Sequence, residues 1–132
     1  MAGQIAKVYE RQYPSEGFVG DRLVTVGDGS GGYLTAVEAS RYPTADGHGA
    51  LVFFWHNQTF LGWDTNQESW NVAVSAKSDA IEATYPDYAP NDPACCPSLA
   101  PVTITYTWSG TGLTQSRAIP PGAIVGTEVF ST

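Results

Sequence analysis

A mainly β fold is what this sequence predicts: one domain of six to eight short antiparallel strands, arranged as a sandwich or an open barrel-like sheet. At most one short helix is expected, at the N-terminus. Three observations carry that expectation. Val102-Thr-Ile-Thr-Tyr-Thr-Trp108 alternates strictly, with Val102, Ile104, Tyr106 and Trp108 on one face and threonines on the other, the period-two signature of a half-buried strand. The apolar run Ala50 to Trp55 is answered, after "HNQ", by "TFLGWD", which reads as a β-hairpin. Turn-forming clusters then recur at short intervals, as antiparallel strands require.

Taken in order, Gln4 to Tyr13 places Ile5, Val8, Tyr9 and Gln12 at helical spacing before Pro14, with a strand through Ile5 to Tyr9 as the competing reading. Leu23 to Val26 is a short strand ending in "GDGSGG" (Gly27 to Gly32), read as a flexible turn. Tyr33 to Ala39 is strand-like, and Pro43 to Gly49 is loop. In the hairpin turn, Asn57 is the residue that tolerates a positive φ. Trp70 to Ala76 and Ala80 to Tyr85 form a second pair joined near Lys77 to Asp79. After the Val102 strand, "SGTG" turns the chain and Leu113 to Arg117 returns before Pro120-Pro121.

The 132 residues carry six basic and thirteen acidic side chains, a formal net charge of −7. The basic residues are scattered, so there is no stripe to neutralise phosphates, which excludes nucleic acid and anionic membrane surfaces as partners. No apolar run approaches the ~18 residues of a membrane span. Low charge, one methionine and abundant Gly, Ser, Thr, Tyr and Trp lean toward an extracytoplasmic protein. No signal peptide is read in these residues, so export implies a longer precursor.

Residues that could carry chemistry are few. His48 lies in "DGHG" and His56 at the hairpin turn. A metal site would need both to converge with a carboxylate such as Asp46 or Asp64, and no diagnostic spacing supports one; no metal and no cofactor are expected. "GDGSGG" has one carboxylate where a calcium loop needs several oxygen ligands. No Gly-x-Ser-x-Gly elbow is present. A hydrolase using His56 and Asp64 is one alternative. Aromatic residues in strands are core first. Trp63, between Gly62 and Asp64, is the tryptophan with the most polar neighbourhood, so Trp63, Asp64, His56 and Asp92 are the candidate ligand or partner contacts.

Both cysteines, Cys95 and Cys96, sit side by side in "DPACCPSLAP" between Pro93 and Pro97. Adjacent Cα atoms about 3.8 Å apart are closer than the ~4.4–6.8 Å of an ordinary disulfide, so a bond between them would close a distorted eight-membered ring. It would close almost no loop and so add little stability through chain entropy. A vicinal disulfide, two buried free thiols and pairing with a second molecule are all open from the residues alone. Nothing nearby tunes a thiolate.

"LVFFWHNQTFLGWDT", then "IEATYPDYAPNDPACCPSLAPVTITYTW" and a closing "IPP" resemble the LppP/LprE-type lipoproteins of actinobacteria over residues 33–121. The shared order is an apolar strand, a tight turn, a strand containing Leu-Gly, then Asp-Pro-x-Cys-Cys-Pro-Ser and an alternating strand ending in an aromatic. The resemblance implies an exported envelope lipoprotein with no assigned enzymatic activity and no catalytic residue to carry over. The expected function is a non-catalytic binding or interaction domain with a protein or small-molecule partner in the cell envelope. It would touch the membrane only through a lipid anchor whose cysteine is not among these residues. A structural subunit of a virion or cell-surface assembly is a further alternative.

Overall fold

The computed structural model describes residues 17–42, 49–65 and 67–128. Among them are ten strands and a single 3-10 turn, Pro121–Ala123. β1 (Gly17–Gly27), β2 (Tyr33–Tyr42) and β3 (Ala50–His56) follow one another antiparallel. β4 (Thr59–Trp63) folds back on β3, while β5 (Gln67–Ser69) pairs both β3 and β10 (Ile124–Glu128), completing a six-stranded sheet. β6 (Ala73–Lys77), β7 (Ala80–Asp87), β8 (Leu99–Trp108) and β9 (Leu113–Gln115) form a second, four-stranded antiparallel sheet. The fold is thus mainly β, with two open antiparallel sheets, and no closed barrel. Ten strands exceed the expected six to eight by β5, three residues long and too short to show a period, and by β10, which follows Pro120-Pro121 at the edge of the larger sheet. The helix expected at Gln4 to Tyr13 lies outside the described residues.

The sheets meet face to face in one core. Val24, Ala36 and Phe54 form a rung across β1, β2 and β3. They pack in the same cluster as Val74, Ile81, Ala83, Tyr85, Ile104 and Tyr106 of the smaller sheet. Phe54 and Tyr106 touch through their rings, centroids 4.7 Å apart. The alternation read at Val102 to Trp108 is seen as predicted: Ile104 and Tyr106 are buried, and Thr103 is exposed. β3 behaves differently. Every residue from Ala50 to Trp55 is buried, because Leu51, Phe53 and Trp55 form a second cluster on the opposite face with Val37, Ala39, Phe60 and Trp63. A strand buried on both faces reads as a continuous apolar run rather than an alternation.

The hairpins turn where expected. Asn57, at φ 53°, and Ser78, at φ 55°, take the left-handed conformation at the β3–β4 and β6–β7 turns. Asn57 is further fixed to the β1–β2 turn: its amide donates to the Tyr33 carbonyl at 2.8 Å and its side-chain oxygen accepts from the Tyr33 amide at 2.9 Å.

The core sets the first prediction. Phe54→Ala should cost about 3–5 kcal/mol, the usual range for removing a buried aromatic ring. Thr103→Ala, which removes only an exposed hydroxyl pair with Thr84, should cost under ~1 kcal/mol. Urea unfolding of the two variants checks both.

Candidate functional site

One end of the sandwich gathers the β1–β2 turn, the β3–β4 turn and the end of β8. The turn "GDGSGG" is ordered by its own aspartate. Asp28 Oδ1 accepts from the Ser30 amide at 2.8 Å, the Ser30 hydroxyl at 3.1 Å and the Gly32 amide at 3.0 Å. This is the aspartate-centred turn that Asp-x-Ser sequences favour. Its other oxygen, Oδ2, lies 2.6 Å from His56 Nε2. The His56 ring in turn lies parallel to Trp108, centroids 3.7 Å apart and planes 6° from parallel. The Asp28 side chain is only 2% exposed. The His56 contact, helped by the donors from Ser30 and Gly32, holds its carboxyl well below the usual carboxylate range. A Cβ at Gly32 would sit 2.6 Å from Asp28 Oδ2, 2.9 Å from Asn57 Oδ1 and 3.2 Å from His56 Nε2. Only glycine fits beneath this cluster.

The opposite face of the same strands carries a cavity of about 250 Å³, lined by Thr25, Thr35, Trp55, Asn57 and Gln58. Its floor is a single rung: Thr25 faces Thr35 across β1 and β2, and Thr35 faces Trp55 across β2 and β3. The two threonine hydroxyls are 3.0 Å apart. Every lining side chain is uncharged; hydroxyls and amides supply donors and acceptors, and the indole supplies an apolar wall.

Asp64 lies elsewhere. Its amide donates to the Val52 carbonyl at 2.9 Å, four residues along β3 from His56, roughly 13 Å at the rise of a strand. The carboxyl is enclosed between the sheets. Oδ1 accepts from the amides of Val52 and Thr65, both at 3.0 Å, and Oδ2 from the Tyr85 hydroxyl at 2.6 Å. The Tyr85 hydroxyl also lies 3.1 Å from that of Tyr106. Burial pushes the Asp64 pKa up to about 6, against the pull of Tyr85 and the two amides. Burial, with the Asp64 charge, also raises both tyrosines. His56 and Asp64 therefore do not form a pair, and the hydrolase built on them has no shared centre.

Asp92 organises the β7–β8 connection. Its Oδ2 accepts from the amides of Ala89 and Ser98 and from the Ser98 hydroxyl, each at 2.8 Å, and the Ser98 bonds lead in holding its carboxyl below the ordinary range. Cys95 and Cys96 are joined as a vicinal disulfide on the exposed outer side of this loop, rather than buried as apolar plugs. Trp63 is half-buried on β4, tilted against Phe60 with centroids 6.2 Å apart. The four candidate contacts thus fall in three places, and none of them lines the cavity, although His56 lies between two lining residues in sequence. His48 and Asp46 lie outside the described residues. Among the described residues no group of three or more His, Cys, Asp or Glu is placed to hold a metal ion.

Several residues were not singled out from the sequence. Asp28 had a signal, the aspartate two before a serine in a glycine-rich turn, but was read as flexible. Trp108, Thr25 and Thr35 had none, since their roles depend on pairing across strands. Glu68 is fully buried, and nothing in "NQES" marks it.

The LppP/LprE lipoprotein family model matches residues 33–111, more than half the chain, and the chain belongs to that family. Membership implies an extracytoplasmic, envelope-associated location. No curated protein and no solved structure matches.

Two pH-dependent predictions follow from the carboxylates, with opposite signs. Folded Asp64 titrates at about 6 rather than 3.8, so the folded chain holds an extra proton between those values. Its stabilising contribution is complete below pH 3.8 and is lost as pH rises through about 6. Asp64→Asn should flatten that slope in urea midpoints measured from pH 4 to 7. Asp28 is depressed, so its contribution is present above the ordinary carboxylate range and lost on acidification through its folded pKa. Asp28→Asn should therefore destabilise at pH 7 and become progressively less costly as the pH is lowered.

Proposed function

We propose, from membership of the LppP/LprE lipoprotein family, that this chain is a non-catalytic binding domain of an exported envelope lipoprotein, and that its ligand is a small, neutral, hydroxyl-bearing molecule. The observation that carries this reading is the lining of the Thr25/Thr35/Trp55/Asn57/Gln58 cavity. A site with hydroxyls, amides and one indole offers hydrogen bonds to a neutral polar ligand and an apolar wall to its carbon face, as small-molecule sites generally do. It offers no cation to an anionic ligand, and the net charge of −7 works against one. The ionisable pair beside the hairpin turn supports the same conclusion: Asp28 and His56 are turned onto each other.

Amide NMR of the folded protein with a panel of neutral monosaccharides and the matching uronic acids tests it. The neutral sugars should shift the resonances of Thr25, Thr35 and the Trp55 indole, and the uronic acids should not. Thr25→Val and Gln58→Ala, both at exposed positions, should each weaken binding about 3- to 10-fold, the loss of one neutral hydrogen bond of ~0.5–1.5 kcal/mol. Equal response to the uronic acids, or shifts confined to another surface, would contradict the proposal.

A further inference from the structure

We propose that Cys95–Cys96 is a thiol–disulfide exchange site, accepting two electrons from a thiol-bearing partner outside the cytoplasm. It is separate from the cavity, lying on the β7–β8 connection of the smaller sheet. Three observations lead to it.

The first is that the bond does no work for the fold. It links neighbours in sequence, so it encloses no intervening residue and scarcely restricts the unfolded chain. Both cysteines are exposed, and neither belongs to an apolar cluster.

The second is that the loop is held by other groups. Asp92 gathers Ala89 and Ser98, which bracket the cysteines. The Tyr88 hydroxyl donates to the Ala94 carbonyl at 2.6 Å, and the Cys96 amide to the Pro93 carbonyl at 3.0 Å. Tyr88 is fixed in turn by its ring contact with Trp70, centroids 4.8 Å apart, and by its amide bond to the Gly122 carbonyl at 2.9 Å. A Cβ at Gly122 would collide with Asp87 and with the Tyr88 carbonyl, which keeps this close approach for glycine. Opening the disulfide removes none of these bonds, so the two sulfurs stay adjacent when reduced.

The third is access and polarity. Residues 93–101 are all exposed, and none of them carries a charged side chain. Leu99 is 47% exposed on the same stretch. The nearest ionised group along the chain is Asp92, an anion that does not favour a thiolate. Joined as a disulfide, the pair has no thiolate of its own, so the attacking thiolate comes from the partner and the pair takes up the electrons.

A partner thiolate attacks one cysteine sulfur, forming a mixed disulfide and releasing the other cysteine as thiolate, which takes a proton from water. A second partner thiolate attacks the partner's sulfur in the mixed disulfide. The partner leaves oxidised to a disulfide, the second cysteine is expelled as a thiolate that also takes a proton from water, and Cys95 and Cys96 are left as two thiols.

The test uses the folded chain, dithiothreitol as the dithiol and iodoacetamide as the trap, read by intact mass and circular dichroism. Two alkyl groups should be added after dithiothreitol and none before it, with the β spectrum unchanged. Oxidised glutathione should restore the bond. The Cys95→Ser/Cys96→Ser double variant should melt within about 2 °C of the parent, well under the ~4–8 °C expected per kcal/mol for a small domain. Alkylation without reductant would overturn the proposal, as would resistance to dithiothreitol until the chain is denatured. A large fall in melting temperature on reduction or in the double variant would make the bond structural and overturn it equally.

Discussion

The two sheets share no strand pairing among the described residues, so their alignment rests on side chains, and the Asp64 carboxyl is where that constraint is most concentrated. Apolar contact between Phe54, Ile81, Ile104 and their neighbours supplies the driving force but is non-directional. Direction comes from polar groups that cross between the sheets. Asp64 takes an amide from β3 and a hydroxyl from β7. Glu38 on β2 accepts from the Val74 amide on β6 at 2.8 Å. His56 at the end of β3 stacks on Trp108 at the end of β8. Buried polar groups are costly unless satisfied, and each of these is satisfied only when the sheets are in register.

That arrangement explains what remains for binding. The ionisable groups nearest the hairpin are committed to the fold: Asp28 to its turn and to His56, Asp64 to Tyr85 and β3. The proposed ligand surface is the face of β1, β2 and β3 turned away from the core, where Thr25, Thr35 and Trp55 form one rung and Asn57 and Gln58 close one end. The exposed cysteine loop, on the other sheet, is similarly built by an aspartate turned inward, Asp92, which leaves the sulfurs outward.

Local features were legible in the sequence. Val102 to Trp108 alternated and does pack as a half-buried strand, Asn57 was placed at a positive φ, and the two hairpins around it and Ser78 formed as expected. Strand pairing at long range was not legible, because period and turn chemistry describe neighbours in sequence only. β5 and β10 meet across more than fifty residues, and nothing local marks either as the other's partner. The same limit governs the site. Trp63, Asp64, His56 and Asp92 stand out by residue type and proximity to turns, but the hydrogen bonds by which Asp92 holds its loop and Asp64 joins the sheets are not marked in the sequence. Thr25 and Thr35, ten residues apart, become neighbours only when β1 and β2 pair. The cysteines show the opposite case: their adjacency was plain, but whether they were bonded, free or buried depended on the loop that Asp92 and Tyr88 shape.

Asp64 and Tyr85 act as one unit joining the sheets. A double-mutant cycle with Asp64→Asn and Tyr85→Phe, followed by urea unfolding at pH 7, measures this directly. A coupling of ~1 kcal/mol or more is predicted for partners in one buried hydrogen-bonded network. Additivity within the ~0.3–0.5 kcal/mol typical of independent sites would contradict it.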